Sequence, residues 1–167
     1  MKQVRRGVFE TNSSSTHSIC ITDSDALAPF PFSVKFTCGE FGWEWETLWD
    51  IHEKASYLYS SMLALYTNEE LMAAKEKIAR YLAEADITCE FEEPVKNQEY
   101  GYYENASVDH AGMDEHRQFV DDTINDKGQL FRYLFNDESF VLTGNDNEYS
   151  DVDVDVEYPH KEYYKGN

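Results

Sequence analysis

The stretch EWETLWDIHEKASYLYSSMLALY, residues 44–66, decides the predicted fold of this chain. Its apolar side chains recur at helical spacing along two lines, a longer one that includes Trp49 and Met62 and a second that includes Leu58. A helix that is apolar on more than one side is buried on most sides. We therefore predict one central helix over 44–66, with Trp49, Leu58 and Met62 in the core.

The residues that follow predict a second helix, antiparallel to the first. Thr67 and Glu70 have the spacing of a capping box, and apolar residues then recur at helical spacing as far as Leu82. The two helices are expected to form an aromatic-rich hairpin.

The rest of the chain alternates between short strands and helices. Alternating polar and apolar residues indicate strands, and 3.6-residue spacing indicates helices. Helices are predicted at 114–124 and 127–135, a turn at 143–147, and strands at 18–22, 33–37, 87–91, 100–108, 139–142 and 151–158. Because no regular βαβ rhythm is present, we predict an α+β fold in which the helical hairpin packs on a small, mainly antiparallel sheet.

Size and composition predict one domain over residues 1–167. The chain has 167 residues, of which 41% are hydrophobic, so it is long and apolar enough for one core. It has no apolar run of the roughly 18 residues that span a bilayer, and its basic first residues precede no apolar leader core. We therefore expect a cytoplasmic protein without membrane contact. The thiols of Cys20, Cys38 and Cys89 have no CxxC spacing and are expected to be buried.

Of the overall properties of the sequence, the net charge says most about function. The formal net charge is −19: residues 1–83 hold 11 acids and 8 bases, a balance of −3, and residues 84–167 hold 22 acids and 6 bases, a balance of −16. Such a surface repels a nucleic-acid backbone, so direct nucleic-acid binding is not expected, and a basic protein surface or a metal ion is a better partner.

Residues 12–18, Asn-Ser-Ser-Ser-Thr-His-Ser, place several hydroxyl groups around one imidazole. Hydroxyl groups beside a histidine suit a nucleophile and its base, or a nest of donors around a phosphate. The alternative is a loop whose side chains bond their own backbone. On a strand, Ser15 and His17 would share a face, whereas Thr16 would point away.

The longer segment RRGVFETNSSSTHS, residues 5–18, resembles the opening of a loosely defined group of uncharacterised proteins from bacteriophages and their bacterial hosts. Weaker echoes lie at 108–110, 134–136 and 143–146. The resemblance implies a phage or mobile-element context, in which small acidic proteins often block host machinery. It implies no catalytic residue.

Asp109 and His110 form a second candidate group, because a carboxylate orients an imidazole or shares a metal with it. With Ser15 and His17 they would make an acid–base or metal site. The alternative for this pair is a simple strand-to-helix turn. Of the remaining histidines, His52 is predicted in the core, and His116 and His160 are predicted to be exposed.

The segment 151–158 alternates acids with apolar residues. Asp151, Asp153, Asp155 and Glu162 match positions of an EF-hand loop, but Val156 stands where that loop needs glycine, so no calcium site is predicted. On a strand the three aspartates would be about 6.6 Å apart, roughly twice the axial charge repeat of one nucleic-acid strand. The segment would then imitate a phosphate backbone, or simply protect a sheet edge from aggregation.

Three functions follow from these observations. The first is a non-enzymatic inhibitor, without cofactor or metal, whose partner-binding residues Glu148, Asp151, Asp153, Asp155 and Glu157 occupy the basic surface of a host defence or nucleic-acid-processing protein. The second is a small hydrolase or transferase for a phosphorylated small molecule, with a site formed by Ser15, His17, Asp109 and His110. The third is a phage structural or assembly protein.

Overall fold

The computed structural model describes residues 15–109, 111, 114–145 and 160–165. These residues form an α+β domain with a shared hydrophobic core. Its elements are β1 (Ser15–Thr22), β2 (Ser33–Phe36), β3 (Glu40–Phe41), β4 (Glu46–Leu48), α1 (Ile51–Leu65), α2 (Asn68–Ala83), β5 (Thr88–Phe91), β6 (Ser107–Val108), α3 (Asp114–Asn125), α4 (Lys127–Phe135), β7 (Phe140–Asn145) and β8 (His160–Lys165).

The main sheet has four strands in the order β4-β7-β1-β8, and every neighbouring pair in it is antiparallel. Two short parallel pairs, β2 with β5 and β3 with β6, lie outside this sheet. The predicted mainly antiparallel sheet is therefore confirmed. β1 lies between β7 and β8, and its residues His17, Ile19 and Ile21 are buried.

Helix α1 forms the centre of the core. All ten residues from Lys54 to Leu63 are buried, which covers the helix on every side. Leu58 and Met62 are 0% exposed, as predicted. Burial of one such side chain contributes about 2 kcal/mol from transfer alone.

The predicted start of this helix at residue 44 is wrong. Helix α1 begins at Ile51, because the Asp50 side chain accepts a hydrogen bond from the His52 N–H at 2.8 Å and the Glu53 side chain caps the Asp50 N–H. The chain before this cap is extended and contains β4. Trp49 is 46% exposed rather than buried, and its ring contacts that of Phe140 at a tilt of 37°, with centroids 4.5 Å apart.

The other helices match their predicted positions closely. Thr67 and Glu70 form the expected capping box at the start of α2. Helix α3 begins at the predicted residue, and α4 has the predicted bounds. None of the helices described has both the length and the apolar composition needed to cross a bilayer.

Two local predictions are wrong in their extent. The strand expected over 100–108 shrinks to Ser107–Val108, because Gly101 adopts a φ of +80° inside a turn. The first three residues of the turn expected at 143–147 belong instead to β7, which ends at Asn145. Gly144 lies in that strand, where a Cβ atom would overlap the indole ring of Trp45. Glycine is therefore required at position 144 because the Trp45 ring packs directly against the backbone, and not because the chain turns there. Residues 146–159, including the strand predicted at 151–158, lie outside the described residues.

Candidate functional site

Three of the four residues predicted for a catalytic site come together in the structure. Ser15 and His17 lie on the same face of β1, and both bond the carbonyl oxygen of Asp109, which follows β6. The Ser15 Oγ is 3.1 Å from that oxygen, and the His17 Nε2 is 2.8 Å from it. Residues 15–18 are therefore strand rather than loop, whereas 12–14 and His110 lie outside the described residues.

The imidazole of His17 uses both of its nitrogens in the core. A carbonyl oxygen only accepts, so Nε2 carries a proton and donates it to Asp109. The Nδ1 atom is 2.9 Å from the hydroxyl oxygens of Tyr57 and Thr143. In the neutral ring, one of these hydroxyl groups donates to Nδ1. His17 thus connects β1 to α1, to β7 and to the turn after β6.

A second histidine lies against this network. His116 of α3 is 2% exposed, and its ring meets that of His17 edge-on with centroids 5.6 Å apart. Its Nε2 is 2.9 Å from the Ser61 Oγ, which donates to the backbone of Tyr57 at 2.7 Å. The predicted exposure of His116 is therefore wrong. The helical spacing that it shares with Phe119 and Thr123 on the buried face of α3 is the signal that identifies it as a core residue.

The hydrogen bonds of His17 and Ser15 hold strands and helices of the core together, which is typical of a structural role. A nucleophile is activated by a base within hydrogen-bond reach, whereas the bonds described above direct Ser15 and His17 to the Asp109 carbonyl oxygen. Asp109 contributes its backbone carbonyl to both of them. Ser15 is 2% exposed and His17 0%, so neither faces solvent. Burial also raises the pKa of Tyr57 well above its ordinary value, which keeps its hydroxyl group protonated as a donor.

A glycine allows the β3–β4 turn to pack against the network. Gly42 has a φ of +100°, and a Cβ atom on it would lie 2.9 Å from the Cβ of Asp109 and 3.3 Å from the Cε1 of His17. A side chain at this position would be strained by its backbone conformation and would collide with the site. The sequence pattern alone does not reveal this contact, since residues 42 and 109 are far apart in the chain.

A buried lysine forms a second polar centre, which the sequence reasoning missed. Lys54 is 1% exposed, and its Nζ donates to the carbonyl oxygens of Asn136 at 3.1 Å and Ser139 at 2.9 Å. Desolvation lowers the pKa of Lys54 to about 8, although attraction to Asp137 and Asp50 opposes this change. The lysine ties α1 to the loop between α4 and β7.

An open cavity of about 410 Å³ lies beside β4 and the start of α1. Its wall includes Glu46, His52 and Glu53, with Phe41 and Leu48 as apolar neighbours. Desolvation and the negative charges of nearby carboxylates raise the pKa of Glu46. His52 is exposed, so its predicted place in the core is wrong. It lies in the first turn of α1 and not along the apolar line of a longer helix.

The cysteines form no disulfide, and Cys20 is buried as predicted. Cys38 and Cys89 are only half-buried, so the prediction of buried thiols is too simple for them. Partial burial raises the pKa of Cys38 to about 11 and also raises that of Cys89, which keeps both thiols protonated and weakly nucleophilic. No group of three His, Cys, Asp or Glu residues in the described part of the chain has the arrangement of a metal site.

The residues predicted to bind a partner, Glu148 to Glu157, lie outside the described residues, and so does the side chain of His160. Comparison of the chain with protein-family models, curated proteins and solved structures found no match.

Proposed function

We propose that this protein is a non-enzymatic acidic binding protein that occupies the basic, nucleic-acid-binding surface of a partner protein. In the phage context implied by residues 5–18, it would act in the host cytoplasm as an inhibitor of a defence or nucleic-acid-processing protein. The observation that carries the proposal is the charge balance of −16 in residues 84–167 against −3 in residues 1–83.

The core geometry supports a binding function over catalysis. His17, Ser15 and Lys54 are buried and bond backbone carbonyl groups, so the side chains best suited to acid–base or nucleophilic chemistry are used in structural contacts. The surface, by contrast, carries a large excess of carboxylates. A field of one sign steers an oppositely charged partner and raises its association rate.

The proposed contact residues are Glu148, Asp151, Asp153, Asp155 and Glu157. Exposed ion pairs contribute less than about 1 kcal/mol each, so binding depends on the set and no single substitution abolishes it. Their carboxylates would form charge-assisted hydrogen bonds with the lysines and arginines that the partner normally presents to phosphates.

The experiment is affinity capture from a bacterial lysate, followed by association kinetics with the captured protein at several ionic strengths. The test variant carries Asp151→Asn, Asp153→Asn and Asp155→Asn together. The matched control neutralises three exposed acids of the first half, Asp23→Asn, Glu40→Gln and Glu76→Gln, and so changes the net charge equally.

We expect the test variant to associate more slowly and with a weaker salt dependence, and the control to resemble the wild type. Double-stranded DNA should compete with the wild-type protein for the partner, because both would occupy the same surface. Equal rates and salt slopes for the test variant and the wild type, or binding that DNA does not displace, would refute the proposal.

A further inference from the structure

The turn between β5 and β6 is a short, closed hairpin, here called the tyrosine hairpin, residues 95–104. Its ends are joined by a hydrogen bond from the Glu104 N–H to the Val95 carbonyl at 2.7 Å. A second bond runs from the Asn97 N–H to the Tyr102 carbonyl at 2.8 Å. The backbone therefore crosses the turn twice before it reaches the tip.

The side chain of Asn97 fixes the tip from inside. Its Oδ1 accepts from the N–H groups of Glu99 and Tyr100, each at 3.0 Å, and its Nδ2 donates to Glu104 at 2.9 Å. Gly101, at a φ of +80°, returns its N–H to the Asn97 carbonyl at 2.9 Å. Asparagine and glycine at these positions are suited to such a turn, because the amide mimics backbone groups and glycine accepts a positive φ.

This braced tip presents two aromatic rings to solvent. Tyr100 is 70% exposed and Tyr102 is 56% exposed. Their rings are nearly parallel, with an interplanar angle of 18° and centroids 6.4 Å apart. Large exposed aromatic side chains on a preorganised turn are typical of binding hot spots, since they lose little conformational entropy when a partner covers them.

The charge around the rings indicates which chemical group suits them. Residues 92–104 hold four acids and one base, a balance of −3, and all four carboxylates are exposed. Aromatic faces attract cations, and nearby carboxylates add charge-assisted hydrogen bonds. Arginine satisfies both, because its planar guanidinium stacks on a ring while its N–H groups bind a carboxylate; the compact ammonium of lysine does not stack.

We propose that the tyrosine hairpin is a docking site for arginine side chains of the basic partner, with guanidinium groups stacked on Tyr100 and Tyr102 and bonded to neighbouring carboxylates such as Glu99. This inference rests on the proposed function and adds a specific contact to it. The acidic residues of 148–157 supply long-range attraction, and the hairpin selects arginine over lysine.

The test uses two probes of equal length and charge, an Arg–Gly repeat peptide and its Lys–Gly counterpart, titrated calorimetrically into the full-length protein at low salt. We expect the wild type to bind the arginine peptide about tenfold more tightly than the lysine peptide, the size of one or two exposed cation–π contacts. The double variant Tyr100→Ala/Tyr102→Ala should lose this preference. The variant Tyr100→Phe/Tyr102→Phe should keep it, since the ring faces remain.

The control is Met72→Ala, which removes an apolar side chain that is 64% exposed on α2 and should leave both affinities unchanged. A thermal melt of each variant shows that it is folded. Equal affinities of the wild type for the two peptides, or an undiminished preference in the alanine variant, would overturn the inference.

The Asp151/Asp153/Asp155→Asn variant separates the two proposals. If it lowers the affinity for both peptides equally, while the tyrosine variants leave both affinities unchanged, the proposed function stands and the hairpin site fails.

Discussion

Lys54 should make the stability of the fold depend on pH in a direction that is unusual for a protein. Its ammonium group is buried in α1 and bonded to two carbonyl oxygens, and desolvation lowers its pKa from 10.5 to about 8. Between these values the unfolded chain holds a proton that the folded chain has released. Because the unfolded state binds more protons there, the free energy of unfolding rises with pH across this window.

The expected size follows from the difference between the folded and unfolded pKa values. A tenfold change in a protonation equilibrium corresponds to about 1.36 kcal/mol, so the contribution of Lys54 should increase by about 2 kcal/mol between pH 7 and pH 10. Other titratable groups have the opposite effect on the free energy of unfolding. The pKa of Cys38 is raised to about 11 and that of Tyr133 well above 10, so the unfolded state loses these protons first and stability falls above about pH 9. A variant is therefore needed to isolate the lysine.

The variant is Lys54→Met, which has a similar length and no charge. Urea denaturation of both proteins, in reducing buffer at half-unit steps from pH 7 to pH 10, gives the difference in their free energies of unfolding. This difference cancels the thiol and phenol contributions and should change by about 2 kcal/mol in favour of the wild type as pH rises. Two curves that stay parallel over the whole range would show that Lys54 titrates normally and would refute the reasoning.

Two further substitutions test the core. Leu58→Ala removes a side chain that is 0% exposed at the centre of α1, so it should lower the free energy of unfolding by about 2 to 5 kcal/mol in a denaturant titration; a change below about 0.5 kcal/mol would contradict the burial. His17→Ala should cost about 2 to 4 kcal/mol, since it leaves the Asp109 carbonyl and two hydroxyl groups without this partner. Folded His17→Ala protein should still bind the basic partner, and loss of binding without loss of fold would favour the catalytic hypothesis.

Much of the fold is predictable from local patterns because the elements obey local rules. The capping box of Thr67 and Glu70 marks the start of α2. The bounds of α4 follow from apolar residues at helical spacing, with polar residues on either side of them. The start of α1 is harder to predict for a local reason too. Trp45 and Leu48 have the spacing of helix residues, although they lie in the extended segment before the helix. The pattern therefore continues across Asp50, and the N-cap at this residue is not apparent from the spacing.

The candidate site was only partly predictable, because its contacts join distant parts of the chain. Period-two alternation correctly places Ser15 and His17 on one face of a strand. It cannot show that they bond the backbone of Asp109 or that Tyr57 and Thr143 take the other ring nitrogen. Nor does a lysine in a helical pattern reveal that its ammonium group is buried, since the acceptors of Lys54 come from a loop more than 80 residues further along the chain.

These contacts separate the polar side chains of the described residues into two sets with different roles. A buried polar group is stable only when it is hydrogen-bonded, and His17, Lys54 and Ser15 satisfy this condition through backbone carbonyl groups that hold the strands and helices in place. Reaction with a substrate would require breaking those bonds inside the core. Some surface carboxylates cap helices or form ion pairs, such as Glu70 with Arg117 and Glu84 with Lys127. The chain has many more acids than bases, and mutual repulsion among them would be relieved by a cationic surface. The proposed binding to a basic partner would draw on this excess of surface charge, whereas catalysis at His17 would draw on groups that already form hydrogen bonds in the core.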